Sequence, residues 1–311
     1  MNEKKIKVIG DLINNAYGRA RKAWTTRNLE GYQKLAKSQE EDGAIALDVN
    51  IDGTQVVSVK QEEMLEFLPE LIPALQEATS VPLCFDNPSV KYHRMALKHH
   101  DQSKSNGKPI INSIAASREN LDEILELIKE YDTRVIVMAS EHFLEDGGSA
   151  QCMNPNDSHA ATKHFVELLT TKAGRTIDDI IVDTGLAPIG ADTYCLVNIG
   201  LDAIKLINED PDLQGIHFSV GLTNFAWGSP KAIRHQMERA YLRIASEVGL
   251  DYALANPEKD PQPSDPSDPL VDQLRNVLKI GRQQEGESRE DAGFRQAEAV
   301  LEICLEHIDR D

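Results

Sequence analysis

Ten carboxylates and carboxamides recur at one kind of place in this chain, just after a short apolar run and just before a helix-forming stretch. They are Asp11 and Asn14, Asp48 and Asn50, Asp86 and Asn87, Asn112, Asp183, Asn224 and Asn256. The set is rich in acceptors and amides and poor in cations. It suits a neutral heterocycle with several N–H donors. A carboxylate accepts a bidentate pair from an amino-pyrimidine edge, and an Asn offers one donor and one acceptor in a plane. It suits a phosphorylated sugar badly, since phosphate needs a glycine-rich nest or basic side chains. Each residue also has a plainer reading as a cap or turn. Asn87, within Asp86-Asn87-Pro88-Ser89, reads equally as a helix cap, and Asp11 as a partner of loop backbone. Asp48 and Asp183 lie inside apolar runs (IALDVN, IIVDTG), where a charge is costly unless satisfied, so these two are the stronger ligand candidates.

The elements that must position these residues follow from the pattern. Apolar runs predict strands at 5–11, 44–50, 81–87, 109–115, 133–140, 178–184, 217–222 and 250–256. Amphipathic stretches at 28–42, 60–78, 89–100, 118–131, 157–173, 193–208 and 231–248 predict the helices between them. Near-continuous apolar strands alternating with helices imply a parallel sheet buried on both faces. Eight such units predict a (β/α)8 TIM barrel, in which residues just past the strand ends share one rim. No G-x-G-x-x-G follows the first strand, which weakens a dinucleotide-binding sheet. In the seventh unit the strand 217–222 ends in a polar turn offering Thr223 and Asn224, and Gly228-Ser229-Pro230 starts the next helix. The long stretch 141–156 reads as a loop. The Pro- and Asp-rich stretch 256–269 reads as a mobile loop on the active face or an edge. Helical stretches within 270–308 read as the eighth barrel helix and its extension, with apolar positions that could serve a dimer contact. The whole of 1–311 reads as a single domain.

Bulk properties narrow the function. The 311 residues are 41% hydrophobic, enough for a sizeable core, and the net charge is -18. That charge argues against nucleic acid and against an anionic membrane surface, and a docking partner should carry some positive charge. The four cysteines show no C-x-x-C spacing, which fits a reducing cytoplasm. The start MNEKKIKVIGDL has no apolar signal core, and no window approaches ~18 apolar residues, so a cytoplasmic protein without a membrane span is expected. The nine histidines include no H-x-x-x-H or H-E-x-x-H, and no metal site is expected. Asp157-Ser158-His159 looks like the start of a corrinoid-binding D-x-H-x-x-G motif, but Ala160-Ala161-Thr162 follow without the glycine. It reads as a helix start capped by Asp157 or Ser158.

Six segments together resemble a known family: IGDLIN, GAIALDVN, LCFDNP, PIINSIA, IIVDTGLAP and GLTNFAWG, in that order within residues 8–256. The chain is similar to the pterin-binding methyltransferases, of the type that act between methyltetrahydrofolate and a corrinoid protein. The resemblance implies a barrel holding the pterin ring of tetrahydrofolate or 5-methyltetrahydrofolate in its mouth. It assigns the pterin contacts to Asp86, Asn112 and Asp183, and further positions near the ring to Asn14, Asp48 and Asn50. It assigns to Asn224 the hydrogen bond near N5 and the transferred methyl. It departs from the family at Asp11, usually Glu, and at Asn87, usually Ser or Thr.

The same resemblance implies a methyl exchange between N5 and the cobalt of a corrinoid (cobalamin) carried by a separate partner protein, and a homodimer. Dihydropteroate synthase shares the barrel and pocket but needs a Lys after the seventh strand and an Arg after the eighth. The segments HFSVGLTNFAWG and LDYALANP carry neither cation, and a pyrophosphate leaving group without cations is hard to stabilise. A folate-binding protein without catalysis is the remaining alternative, and the presence of Asn224 argues against it.

Overall fold

Strands rich in Val, Ile and Leu set the frame. In the computed structural model, which describes residues 5–145 and 147–307, the barrel strands are β1 (Lys7–Asn14), β2 (Ala46–Asn50), β3 (Leu83–Asp86), β4 (Ile110–Ala115) and β5 (Arg134–Met138). A hairpin of β6 (Glu141–Phe143) and β7 (Ser149–Gln151) follows, and then the barrel resumes with β8 (Ile180–Asp183), β9 (His217–Ser219) and β10 (Tyr252–Ala255). The sheet order is β10-β1-β2-β3-β4-β5-β8-β9, parallel throughout. Leu254 N–H donates to the Val220 carbonyl at 2.9 Å and Asp251 N–H to that of Phe218 at 3.4 Å, closing β9 on β10. This is the expected (β/α)8 TIM barrel. The expected charged start at 1–4, residue 146 of the long loop and residue 308 lie outside the described residues.

Period-two alternation decides what faces where. Ile9, Ala46, Cys84, Ile110, Ile136, Ile181 and Tyr252 form one buried cluster inside the barrel. Alternate residues such as Val8, Leu47, Phe85, Ile111, Val137 and Val182 belong to the larger core under the helices. Two residues beyond the inner cluster, the same inward face presents Asp11, Asp48, Asp86, Asn112 and Asp183. The register itself gathers the polar set: Asp48 pairs with Cys84, Asp86 with Asn112, and Asp183 with Ser219.

The helices are α1 (Gly18–Thr25), α2 (Leu29–Glu41), α3 (Gln61–Ala78), α4 (Val90–His99), α5 (Leu121–Glu130), α6 (Pro155–Thr171), α7 (Leu196–Asn208), α8 (Leu222–Phe225), α9 (Lys231–Val248), α10 (Pro269–Ile280) and α11 (Arg289–Leu305). In α5, Ile124, Leu125, Leu127 and Ile128 form the buried stripe, with Asp122 and Glu123 in the first turn and Lys129 in the last, as the helix dipole favours. Among the described residues no helix is long and apolar enough to cross a membrane.

Four local expectations are corrected. Strand β1 runs on to Asn14 through a bulge between Gly10 and Ile13, because Leu12 and Ile13 are buried rather than in a turn. The seventh strand stops at Ser219, and Asn224 lies on the one-turn helix α8. The stretch 141–156 holds the β6–β7 hairpin, with Gly147 and Gly148 at φ +89° in its turn. The stretch 256–269 starts at the mouth, where Glu258 pairs with Arg19 at 2.6 Å and Lys259 lines a cavity with Thr223, and then runs down the barrel: Gln262 exchanges two 3.0 Å hydrogen bonds with the backbone of Ile6, at the opposite end. The two C-terminal helices pack on the α7–α9 side: α10 lies along α9 and meets α7 where Asn198 donates to Leu278 O at 2.9 Å, and Gly293 of α11 abuts the Thr193 backbone.

The N-terminal ends of the strands carry a charge network. His217 Nδ1 lies 2.6 Å from Asp251 and its Nε2 3.2 Å from Asp178, which also pairs with Arg134 at 3.0 Å. Asp251 also accepts the Phe218 N–H at 2.9 Å. Burial opposes ionisation of Asp251, but His217, the Phe218 amide and Lys7 together hold its carboxyl below the usual range. Asp251→Ala removes the buried carboxylate that the nearly buried His217 and the Phe218 amide share. It should cost about 3–5 kcal/mol in urea unfolding, and a loss below about 1 kcal/mol would mean that the network is not structural.

Candidate active site at the C-terminal mouth of the barrel

Asp48 forms the floor. It is fully buried on β2, and its Oδ1 accepts from Asn112 Nδ2 at 3.3 Å while Oδ2 has no partner among the described residues. Burial first, and then the nearby Asp86 charge, hold its carboxyl well above the usual range. Asp86, one strand over, accepts from Asn50 Nδ2 at 2.8 Å. Burial pushes its carboxyl up to about 6, against the Asn50 bond. At the end of β8, Asp183 accepts the Gly185 N–H at 2.7 Å, and desolvation pushes it to about 6.

Asp48, Asn50, Asp86 and Asn112 thus form one connected group, and Asp183 ends β8 across β5 from it. Asn14 pairs in register with Asn50 and caps its own turn, accepting the Ala16 N–H at 2.9 Å. Asn87 is occupied by turn-building: it accepts the Ser89 N–H at 2.8 Å and donates to Asp52 at 2.7 Å. Asn256 likewise caps a 3-10 turn by accepting the Glu258 N–H at 3.0 Å. The structure therefore separates these two caps from the pocket-facing group, although all share one sequence signature.

Asn224 is exposed on α8. A Cβ on Gly221 would come within 2.9 Å of Asn224 Nδ2, so the glycine makes room for the amide to lie back over the strand end. Trp227, 69% exposed, follows on the same rim.

Sequence reasoning missed Tyr17 and Glu238. Tyr17 Oη donates to Asp11 Oδ2 at 2.9 Å, and Asp11 Oδ1 is buried without a partner among the described residues. Burial pushes Asp11 to about 6, against the Tyr17 bond. Glu238 is buried on α9 and paired with His235 at 2.9 Å. Its place on the face shared by Met237 and Tyr241 was the available signal. The cap of α6 is Asn154, not Asp157 or Ser158, and His159 pairs with Asp210 at 2.6 Å. All four cysteines are buried and free, and among the described residues no group of three or more His, Cys, Asp or Glu side chains is arranged to hold a metal.

This geometry has a family. The sequence profile of the pterin-binding enzymes matches residues 14–256, from the end of β1 to the end of β10. The chain belongs to the pterin-binding enzyme family. Within it, the chain is 24% identical over 250 residues to the methylcorrinoid:tetrahydrofolate methyltransferase of Eubacterium limosum, covering 80% of this chain and 84% of that one. It is 23% identical over 242 residues to the methionine synthase of Mycobacterium tuberculosis, covering 74% of this chain but 19% of that much longer protein. In three dimensions it is similar to dihydropteroate synthases. The Yersinia pestis enzyme with a sulfonamide drug gives a TM-score of 0.59 at 16% identity, over 90% of this chain and 94% of that one. The Coxiella burnetii enzyme with pteroic acid gives 0.55 at 17%, over 90% and 94%. At these identities the likeness concerns the fold.

The acidic rim of the mouth makes a pH prediction. Asp11, Asp86 and Asp183 are each raised from 3.8 to about 6 by burial. For a raised acid, stability is fully present below the unfolded pKa and is lost as pH rises through the folded one. The ligand-free melting temperature should therefore rise as pH falls from about 7.5 to about 5. Thermal scans across that window read the trend, and a midpoint that falls as pH is lowered would contradict the burial of these groups.

Proposed function

We propose that this pterin-binding enzyme moves a methyl group between N5 of tetrahydrofolate and the cobalt of a corrinoid protein. The observation that carries the reading is the donor set of the mouth. Carboxylates and carboxamides with orphaned acceptor oxygens on Asp48 and Asp11 fit the N–H-rich edge of a pterin. The β9 and β10 ends bring Asn224 and Asn256 where a pyrophosphate leaving group would need cations. The methyltransferase name of the Eubacterium limosum relative supports it.

In this reading Asp86, Asn112 and Asp183 bind the aminopyrimidine edge, with Asp48, Asn50 and Asn14 beside the ring. Asn224 serves N5 in either direction, since its carboxamide donates to N5 as methyl leaves or accepts when N5 is protonated. The corrinoid cobalt supplies the methyl-accepting and methyl-donating chemistry, so the chain needs no nucleophile of its own. The partner docks over the mouth. The β6–β7 hairpin and Trp227 are the proposed contacts, and the part of 256–269 around Gln262, tied to Ile6, is not. A homodimer and a cytoplasmic setting complete the expectation.

Calorimetry with tetrahydrofolate, run beside a dihydropteroate-synthesis assay, tests the reading. Folate binding without dihydropteroate formation is expected. Dihydropteroate formed from a pterin diphosphate above background would favour the synthase reading instead.

A further inference from the structure

One stretch of the acidic mouth carries a cation that the reading above does not use. Between the start of α4 and the start of α5 opens a cavity of about 290 Å³, lined by Pro88, Val90, Ser117, Arg118, Glu119, Asn120 and Ile124. It adjoins the strand ends that carry Asp86 and Asn112. Arg118 is anchored there by Nε to Ser113 O at 3.3 Å and by Nη2 to Ser113 Oγ at 3.4 Å. Both partners are neutral. No carboxylate is in ion-pairing distance of Arg118 among the described residues, whereas Arg94 on α4 is paired with Glu123, and Arg134 and Arg175 at the other end of the barrel are paired with Asp178 and Asp132.

The surroundings favour an anion. The first turn of α4 carries no carboxylate, and its N-terminus lies at the cavity wall. Glu119 would oppose an anion, but it is exposed and so largely screened by solvent. Arg118 is half-buried and fixed at two points, leaving Nη1 without a partner among the described residues. A planar guanidinium held this way is preorganised for a carboxylate.

We propose that Arg118 and this cavity hold a carboxylate of the substrate's glutamyl tail. The inference rests on the pterin ring lying at Asp86, Asn112 and Asp183. Tetrahydrofolate carries its glutamate beyond the ring, and on a chain of net charge -18 such a tail needs a local cation to be tolerated at the mouth.

The test is calorimetry at constant ionic strength on the full chain, with three ligands: tetrahydrofolate, its triglutamate and a tail-less tetrahydropterin. Arg118→Gln should weaken both glutamate-bearing ligands by about ten- to a hundredfold, the range for losing a hydrogen bond to a charged group. It should leave the tail-less pterin unchanged, which also shows that the variant is folded. Arg118→Lys should fall between the two proteins, because it keeps the charge and loses the fork. Unaltered tetrahydrofolate binding by Arg118→Gln would overturn the proposal. So would an equal loss for the tail-less pterin, which would place Arg118 in support of Asp86. Failure of the wild-type protein to bind the tail-less pterin or tetrahydrofolate would overturn the pterin reading and this inference with it.

Discussion

Asn224→Ala should lower methyl transfer with tetrahydrofolate by about 10²–10³-fold, the loss seen when one transition-state hydrogen-bond donor is removed. The tetrahydrofolate dissociation constant should change by less than about threefold, since the proposed bond from Asn224 would strengthen only as charge develops at N5. The expected split comes from the placement of the residue. Asn224 is exposed, and its side chain makes no hydrogen bond within the described residues. Removing it therefore leaves no orphaned group and should not unfold α8. Gly221→Ala offers a graded companion, because its Cβ would push on Asn224 Nδ2 from 2.9 Å. It should slow turnover while the amide is still present. Stopped-flow rates and calorimetric affinities separate the two effects, and equal losses in both would remove the special role of Asn224.

Asp183→Asn should have the largest effect on binding and the opposite effect on stability. One Asp183 oxygen already accepts the Gly185 N–H, so the carboxylate is fixed in place at the end of β8. If it accepts a pair of pterin N–H groups, each charge-assisted bond is worth about 1.5–3 kcal/mol. Losing the pair should weaken tetrahydrofolate by about 10²–10⁴-fold. The ligand-free protein should melt higher near neutral pH, because a desolvated carboxylate is replaced by a neutral amide. The change in melting temperature between about pH 7.5 and about pH 5 should shrink as well. Unchanged affinity in calorimetry would exclude Asp183 from the pterin contacts. A lower ligand-free melting temperature would mean that its charge is satisfied in a way the hydrogen bonds do not suggest.

Much of this site is readable in the sequence because a buried parallel strand has few ways to arrange itself. Cys84 and Asp86, Ile110 and Asn112, and Ile181 and Asp183 are spaced by two, so once the apolar partner faces the barrel interior its polar neighbour must face the mouth. The same logic reads eight strands from eight apolar runs. It fails where one signature has two physical uses. Asn87 and Asn256 follow strands just as Asn224 does, yet both are spent on capping the next turn. Helix α1 escapes notice because GRARKAWT buries only Ala20, Ala23 and Trp24, too few to print a period. With it goes Tyr17, and so the partner of Asp11. The C-terminal helices show a second limit. Periodicity tells which face of α10 is buried but not against which neighbour, and its contact with α9 and α7 depends on tertiary packing.

The most direct test of the central claim is an anoxic mixture of the purified protein, methylcobalamin and tetrahydrofolate, followed by the cobalt absorption spectrum. Protein-dependent conversion of methylcobalamin to the demethylated Co(I) form, with an equal amount of 5-methyltetrahydrofolate, is the predicted result. Saturating tetrahydrofolate binding with no methyl transfer, either from free methylcobalamin or from methylated corrinoid proteins, would contradict it and leave a pterin-binding protein with a different reaction.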